Sequence, residues 1–395
     1  LTRFLERYRA SLQHFARVTS TGRYLPEIDG LRFIAIGSVL LFHLRAYVGA
    51  KSPIAWQTPL DQDPIASALL HLDRGVPVFF AISGFVLSLP FASARLRGGA
   101  LVPIKSYLLR RLTRLEPPYL LSVFAFAALL VATKPAVLAR DIAPHVVASM
   151  FYVHNALYQA PSLVNVVYWS LEVEVQFYLL APLFGAVFLV RPRAVRRSLV
   201  ALLATLAEVA KLLLLEHWAM VKLTLLGSLP CFLVGVLLAD VYVDDWNEAP
   251  TRHVAFDIVS VVAWSLLLLV TYDDRAERFL FPILLFIAFA GSLRSVHVRS
   301  ILTTAEVTAL GGMCYSIYLI HYQLISLVGR FAVNVHVGRT FASNLILQCF
   351  LTGVPVLALS SVYFILIEKP CMRRDWPARA LAALNRCRPR GSKTL

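Results

Sequence analysis

Charge is what this chain is short of. Only 15% of its 395 residues are Asp, Glu, Lys or Arg, against about 25% in soluble globular chains. Hydrophobic residues make up 58%, and the mean hydropathy is +0.69. That balance excludes an ordinary water-soluble protein. Cysteine is scarce too: Cys231, Cys314, Cys349, Cys371 and Cys387 form no C-x-x-C, and their spacing suggests neither a metal site nor a disulfide framework. No cleavable signal peptide is expected from residues 1–23, which are basic (Arg3, Arg7, Arg9, Arg17, Arg23) and lack an early apolar run. No internal repeat of the kind many transporters carry is visible. The net charge of +15 and the pI of 9.9 do not indicate nucleic-acid binding, because no basic, aromatic-rich soluble stretch exists to carry it.

What is present is a series of apolar runs that reach or approach the ~20 residues needed to span a bilayer. Short Arg/Lys clusters separate them. The expected fold is therefore all-α, a polytopic membrane helix bundle. The positive-inside rule places the basic N-terminus in the cytoplasm. Spans are expected at about 31–48, 75–92, 115–133, 163–190, 199–215, 222–240, 254–271, 279–293, 307–329 and 343–367, about ten in all, with both termini cytoplasmic. Residues 49–74 read as an outer loop. The basic loop "RPRAVRR" requires the span before it to run inward, so 134–162 reads as an outer, interfacial or re-entrant segment. The organisation is a basic cytoplasmic segment at 1–23, one membrane domain at 24–370, and a basic cytoplasmic tail at 371–395.

Ionisable residues inside spans are costly and so mark function by default. Within "EIDGLRFIAIGSVLLFH", Arg32 and His43 stand eleven residues apart. On a helix that is about three turns, one face, and roughly 16 Å along the axis. Structural alternatives remain open: Arg32 can snorkel to headgroups, and His43 can serve as a helix–helix hydrogen-bonding residue. Arg111 and Arg114 share a helical face and suit phosphate recognition, or anchor span 3 at the cytoplasmic surface. Glu172 and Glu174 face different sides of their helix, so at least one points inward; a solvated outer end could explain Glu172, whereas Glu174 lies deeper. Ser83-Gly84 permits close helix approach. Tyr315, Ser316, Tyr318 and His321 interrupt a later span, and Glu368 ends the last one, where it could pair with an arginine. Glu27 and Asp29 are expected to pair with nearby arginines.

Together these residues resemble acyltransferase family 3, the multi-pass membrane O-acyltransferases. Arg32 and His43 match the family's R-x10-H motif within an E-x-D-G-L-R opening. Arg111 and Arg114 match its paired arginines. "FFAISGF", "WSLEVEVQFY" and "CYSIYLIH" match further signatures, the second singling out Glu174, and "EKP" matches the closing one. Cys314 stands where a serine is usual, and Glu172 where a small residue is commoner. The matches run from residue 27 to 370.

The resemblance implies a membrane O-acyltransferase, by default an O-acetyltransferase, in the cytoplasmic (inner) membrane. The donor would be acetyl-CoA or another acyl-CoA from the cytoplasm, and no metal is expected. The acceptor would be a hydroxyl of an extracytoplasmic or membrane-bound carbohydrate, with a macrolide-like small molecule as the alternative. Arg32, Arg111 and Arg114 would hold the CoA phosphates. His43 would act as general base, supported by Glu174 or another polar group reaching the cavity; a variant has His43 carry the acyl group covalently. Ser83, Tyr315, Ser316 and His321 would bind the acceptor or polarise the carbonyl. The chain ends soon after its last span, so the membrane domain is expected to acylate the acceptor itself unless a separate partner does. The rival from another class is a proton-coupled transporter or flippase that uses the buried His and Glu as a relay.

Overall fold

The computed structural model describes residues 24–134, 138–215, 217–270, 277–373, 375–377 and 379. The expected segment 1–23 and most of the expected tail lie outside them. Among the described residues every regular element is helical. Among the described residues six helices are long and apolar enough to cross a membrane: α1 (Pro26–Lys51), α2 (Pro64–Leu96), α3 (Ile104–Thr133), α6 (Tyr168–Leu189), α8 (Leu225–Asp244) and α14 (Phe341–Cys371). Between them lie α4 (Ala139–Met150), α5 (His154–Tyr158), α7 (Arg193–Leu215), α9 (Ala255–Leu269), α10 (Glu277–Arg294), α11 (His297–Leu302), α12 (Ala305–Gly312) and α13 (Cys314–Ala332). Large apolar side chains stand exposed around the bundle, among them Phe124 of α3, Leu206 of α7, Ile258 of α9 and Phe350 of α14. Water would penalise such a surface, and hydrocarbon would not.

Two differences from the expected spans have local causes. The expected second span, 75–92, lies within a longer helical run: the α-helix from Gly75 to Leu96 is preceded by a short helix, Pro64–Leu70, and a 3-10 turn, His71–Arg74. The run starts at Pro64, because Asp63 accepts hydrogen bonds from the Ile65 and Ala66 backbone N–H groups (3.0 and 2.9 Å) and Pro64 is pre-set for a first helical position. The expected span at 307–329 is two helices, parted at Met313. The expected outer, interfacial or re-entrant segment holds the two short helices α4 and α5.

α1 starts just after Leu25, whose backbone is extended, with Pro26 in the first turn and Glu27 and Asp29 beside the helix dipole's positive end. Both carboxylates pair with arginine as expected. Asp29 Oδ1 takes Arg32 Nη1 at 2.5 Å, and Glu27 Oε1 takes Arg299 Nε at 2.6 Å. α3 carries Pro117 and Pro118 inside its length. Pro117 has no N–H to give the Thr113 carbonyl, and Trp376 Nε1 donates there instead, at 2.9 Å. Tyr363 OH donates to the Pro118 carbonyl at 2.5 Å, which ties α3 to α14.

α2 and α8 form the spine of the largest core cluster, through Phe80, Phe85, Phe232 and Val236. Their backbones nearly touch: a Cβ on Gly84 would lie 2.0 Å from the Phe232 carbonyl oxygen, and one on Gly235 would lie 2.2 Å from that of Ala81. α7 is fixed to α8 by charge. Arg196 bonds Asp240 and Asp244, and Arg197 bonds Asp240 and, through both ends of its fork, Asp245. The Arg197 guanidinium holds the Asp245 carboxyl below its ordinary range.

Gly84→Ala should separate α2 from α8 and cost ~1–3 kcal/mol, as over-packing does. The measurement is a thermal melt of the purified protein in detergent, where Gly37→Ala, whose added Cβ meets nothing within 4 Å, should melt with the wild type.

Candidate active site

Six of the residues that sequence reasoning selected line a single cavity. α1 supplies Arg32, α2 Ser83, α3 Arg111 and Arg114, α6 Glu174, and α13 Tyr315. Glu368 of α14 lines it too. The cavity lies toward the end of the bundle at which α1 begins.

The three arginines are not equivalent. Arg32 is committed to Asp29, one turn back on its own helix. Arg114 lies 3.8 Å from Glu368 Oε1. The other oxygen of Glu368 accepts the Ser316 backbone N–H at 3.0 Å and the Ser316 hydroxyl at 2.6 Å. Glu368 is fully buried, in a π-helical turn of α14, so it joins α13, α14 and Arg114 in one polar knot. Arg111 makes no ion pair with a carboxylate among the described residues; its guanidinium sits 5.8 Å from the Tyr107 ring centroid. It is the cation most open to an incoming anion.

Glu174 accepts a 2.5 Å hydrogen bond from the Ser83 hydroxyl. It was expected to support His43 and is not bonded to it among the described residues. The reason is helical: Ser170, Glu174 and Tyr178 stand four residues apart on α6, and all three face the cavity. Glu172 lies on another side of α6. It is fully buried, not solvated, and its Oε2 accepts the Asn155 backbone N–H at 2.8 Å at the start of α5. That distant segment explains the carboxylate that seemed disposable.

His43 stands apart from the cavity lining, as do Ser316 and His321. It is half-buried, its ring hydrogen-bonds to none of the described residues, and it packs against α13. Its ring centroid lies 5.2 Å from that of His321 and 5.1 Å from that of Tyr322. Tyr318 links the two regions: it lines the cavity, and its ring lies 5.7 Å from that of His321. The Tyr318 hydroxyl lies 2.5 Å from Ser170 Oγ and donates to the Val167 carbonyl at 3.1 Å. Tyr315 OH donates to the Leu115 carbonyl at 2.9 Å, fixing α13 to α3 just past the arginines. Sequence reasoning left Ser170, Tyr178 and Tyr318 out of the site. The i, i+4, i+8 spacing of Ser170, Glu174 and Tyr178 was the signal for the first two.

A bundle of long apolar helices around an arginine-lined cavity, with an imidazole about three turns further along one of the lining helices, defines a class: a membrane-type helical protein with a cationic internal site. The comparisons narrow the class. A family model described as an acyltransferase domain matches residues 25–365, and the chain belongs to that family, acyltransferase family 3. The O-acetyltransferase OatA of Staphylococcus aureus (strain NCTC 8325 / PS 47) is 25% identical over 394 residues, covering 91% of this chain and 59% of its own length. YrhL of Bacillus subtilis (strain 168), named provisionally as a peptidoglycan O-acetyltransferase, is 26% identical over 385 residues, covering 89% of this chain and 55% of its own length. The chain thus spans little more than half the length of these curated relatives. No solved structure matches it.

Glu368→Ala should leave Arg114 and the Ser316 N–H facing an empty site and cost roughly 3 kcal/mol, the scale of breaking a buried charge pair. Glu368→Gln, which keeps an acceptor for Ser316, should recover part of the loss. Folded yield in detergent and the melting temperature read both variants.

Proposed function

We propose that the protein is a membrane O-acetyltransferase that uses acetyl-CoA, taken from the cytoplasm, to acylate a carbohydrate hydroxyl on the other side of the membrane. The observation that carries this reading is the convergence of Arg32, Arg111 and Arg114 in one cavity, with α1 leading from it to His43. Arg111 takes the larger share of the CoA phosphate charge, since Arg32 and Arg114 already have carboxylates beside them. The pantetheine arm then follows α1 for roughly 16 Å, past Tyr318, and brings the thioester to His43. The names of the relatives favour acetyl as the acyl group and a cell-wall sugar as the acceptor.

At His43 the chemistry is a direct transfer. One ring nitrogen takes the acceptor's hydroxyl proton while that oxygen bonds to the thioester carbon. The C–S bond breaks, and the same proton goes to the departing thiolate, giving the acetyl ester and free CoA. Glu174 holds Ser83 and offsets the positive charge of the arginine cavity. In this reading the bundle crosses the membrane ten times. The six long apolar helices supply six crossings; α7, α9, α10 and the α12–α13 pair supply the other four. Both termini are then cytoplasmic, and the arginine cavity opens to the cytoplasm.

With the protein in lipid nanodiscs and radiolabelled acetyl-CoA as donor, His43→Ala should lower transfer to peptidoglycan fragments by ~10²–10⁴-fold, the usual worth of a general base. Arg111→Ala should raise the KM for acetyl-CoA by ~10-fold or more, as loss of a charge-assisted hydrogen bond predicts, with a smaller effect on kcat. CoA should raise the melting temperature of the wild type and much less that of Arg111→Ala. A His43→Ala protein that folds and keeps full transfer would defeat the mechanism. A wild type that CoA neither stabilises nor serves as donor would defeat the function.

A further inference from the structure

His321 is fully buried in α13. Its Nδ1 lies 3.0 Å from the Ile317 carbonyl oxygen and 2.9 Å from that of Tyr318. Carbonyl oxygens only accept, so Nδ1 carries a proton, and in the neutral ring Nε2 then keeps its lone pair. That Nε2 is buried without a hydrogen-bond partner among the described residues. An orphaned buried acceptor is costly and calls for a reason. The ring beside it is that of His43, with the centroids 5.2 Å apart and the planes at 46°. At that separation, two ring nitrogens turned toward each other come within hydrogen-bond range, roughly 3 Å. The carboxylate expected to support His43 is elsewhere, bonded to Ser83.

Resting on the acyl-transfer reading, we propose that His321 is the positioning residue of a His43–His321 dyad: its tautomer is locked by the Ile317 and Tyr318 carbonyls, and its Nε2 accepts a hydrogen bond from His43, formed once the half-buried His43 ring turns toward it, that aims His43's other nitrogen at the acceptor hydroxyl. His321 does not touch the acceptor. When His43 takes the hydroxyl proton, its cation is met by the His321 lone pair, whose ring is in turn polarised by two carbonyls. The proton on His43 then leaves on the CoA sulfur, and His321 finishes as it began. The arrangement is a carbonyl–His–His chain in place of a carboxylate–His pair. It lets the hydrocarbon-depth site stay uncharged while no acceptor is bound, which avoids the cost of an ionised carboxylate there.

The test compares the wild type, His321→Leu and His321→Gln in nanodiscs, with radiolabelled acetyl-CoA and peptidoglycan fragments, alongside ¹⁵N-histidine NMR of the same proteins without substrate. Leucine removes the acceptor. Glutamine keeps a carbonyl oxygen of similar reach. The expected result is a kcat lowered ~100-fold in His321→Leu, within the range for support of a general base, a KM for acetyl-CoA changed less than threefold, and partial rescue of kcat in His321→Gln. In the NMR spectra His43 should be a single tautomer in the wild type and a mixture in His321→Leu. A folded His321→Leu with wild-type kcat and unchanged His43 signals overturns the dyad while leaving acyl transfer standing. Equal loss of kcat in both variants, with the His43 tautomer unaltered, overturns it too, by making His321 merely structural. If the wild type transfers nothing from acetyl-CoA, yet the His43 signals respond to His321→Leu, the function fails and the pairing survives.

Discussion

A guanidinium within a membrane-spanning bundle is tolerable only where polar groups meet it, because hydrocarbon offers none. Three arginines around one cavity impose that constraint on most of the bundle. Arg32 finds Asp29 within its own helix, which makes the first turn of α1 part of the site. Arg114 reaches across to Glu368, and Glu368 in turn holds the Ser316 backbone and hydroxyl. The last long helix is thereby fastened to α3 and α13 by charge rather than by packing alone. Such a network sets position more than it adds stability, since desolvation offsets much of the attraction between buried charges.

The same network leaves one cation uncommitted. Arg111 lies on the same helical face as Arg114, yet its neighbour is the Tyr107 ring rather than a carboxylate. An anion entering the cavity can be met there without first displacing a partner. At the other end of the proposed path the logic is reversed. His43 and His321 form a region with no carboxylate bonded to either ring among the described residues. α1 and α13 run past one another in the same sense, so Arg32 shares the cavity with Tyr315 while His43 meets His321. Two helices thus run side by side from an electropositive end to a neutral one.

α6 shows how far local pattern reaches. Its two glutamates lie two residues apart, and periodicity alone puts them on different sides. The polar series Ser170, Glu174, Tyr178 marks the side that meets the arginines. Glu172 looks from the sequence like the one nearer water. It is instead sealed beneath the α4–α5 segment, where it receives the Asn155 N–H. Its role depends on a turn seventeen residues earlier in the chain, and no helical periodicity encodes that.

By itself the sequence determined the membrane class, the helical character, the places of the long apolar helices and the motif residues that converge on the cavity. All of these follow from composition and from a 3.6-residue period, which are local properties. It also made the pairing of Glu27 and Asp29 with arginines foreseeable. Only the tertiary structure decided which arginine stays free, what Glu172 is bonded to, and which side chain stands beside His43. Those outcomes depend on which faces of sequence-distant helices meet, and Glu368 with Ser316, or His321 with His43, are neighbours only after the bundle has closed. The break at Met313 and the early start of α2 at Pro64 belong between the two. Their capping and turn signals are written locally, but a reading of hydropathy passes over them.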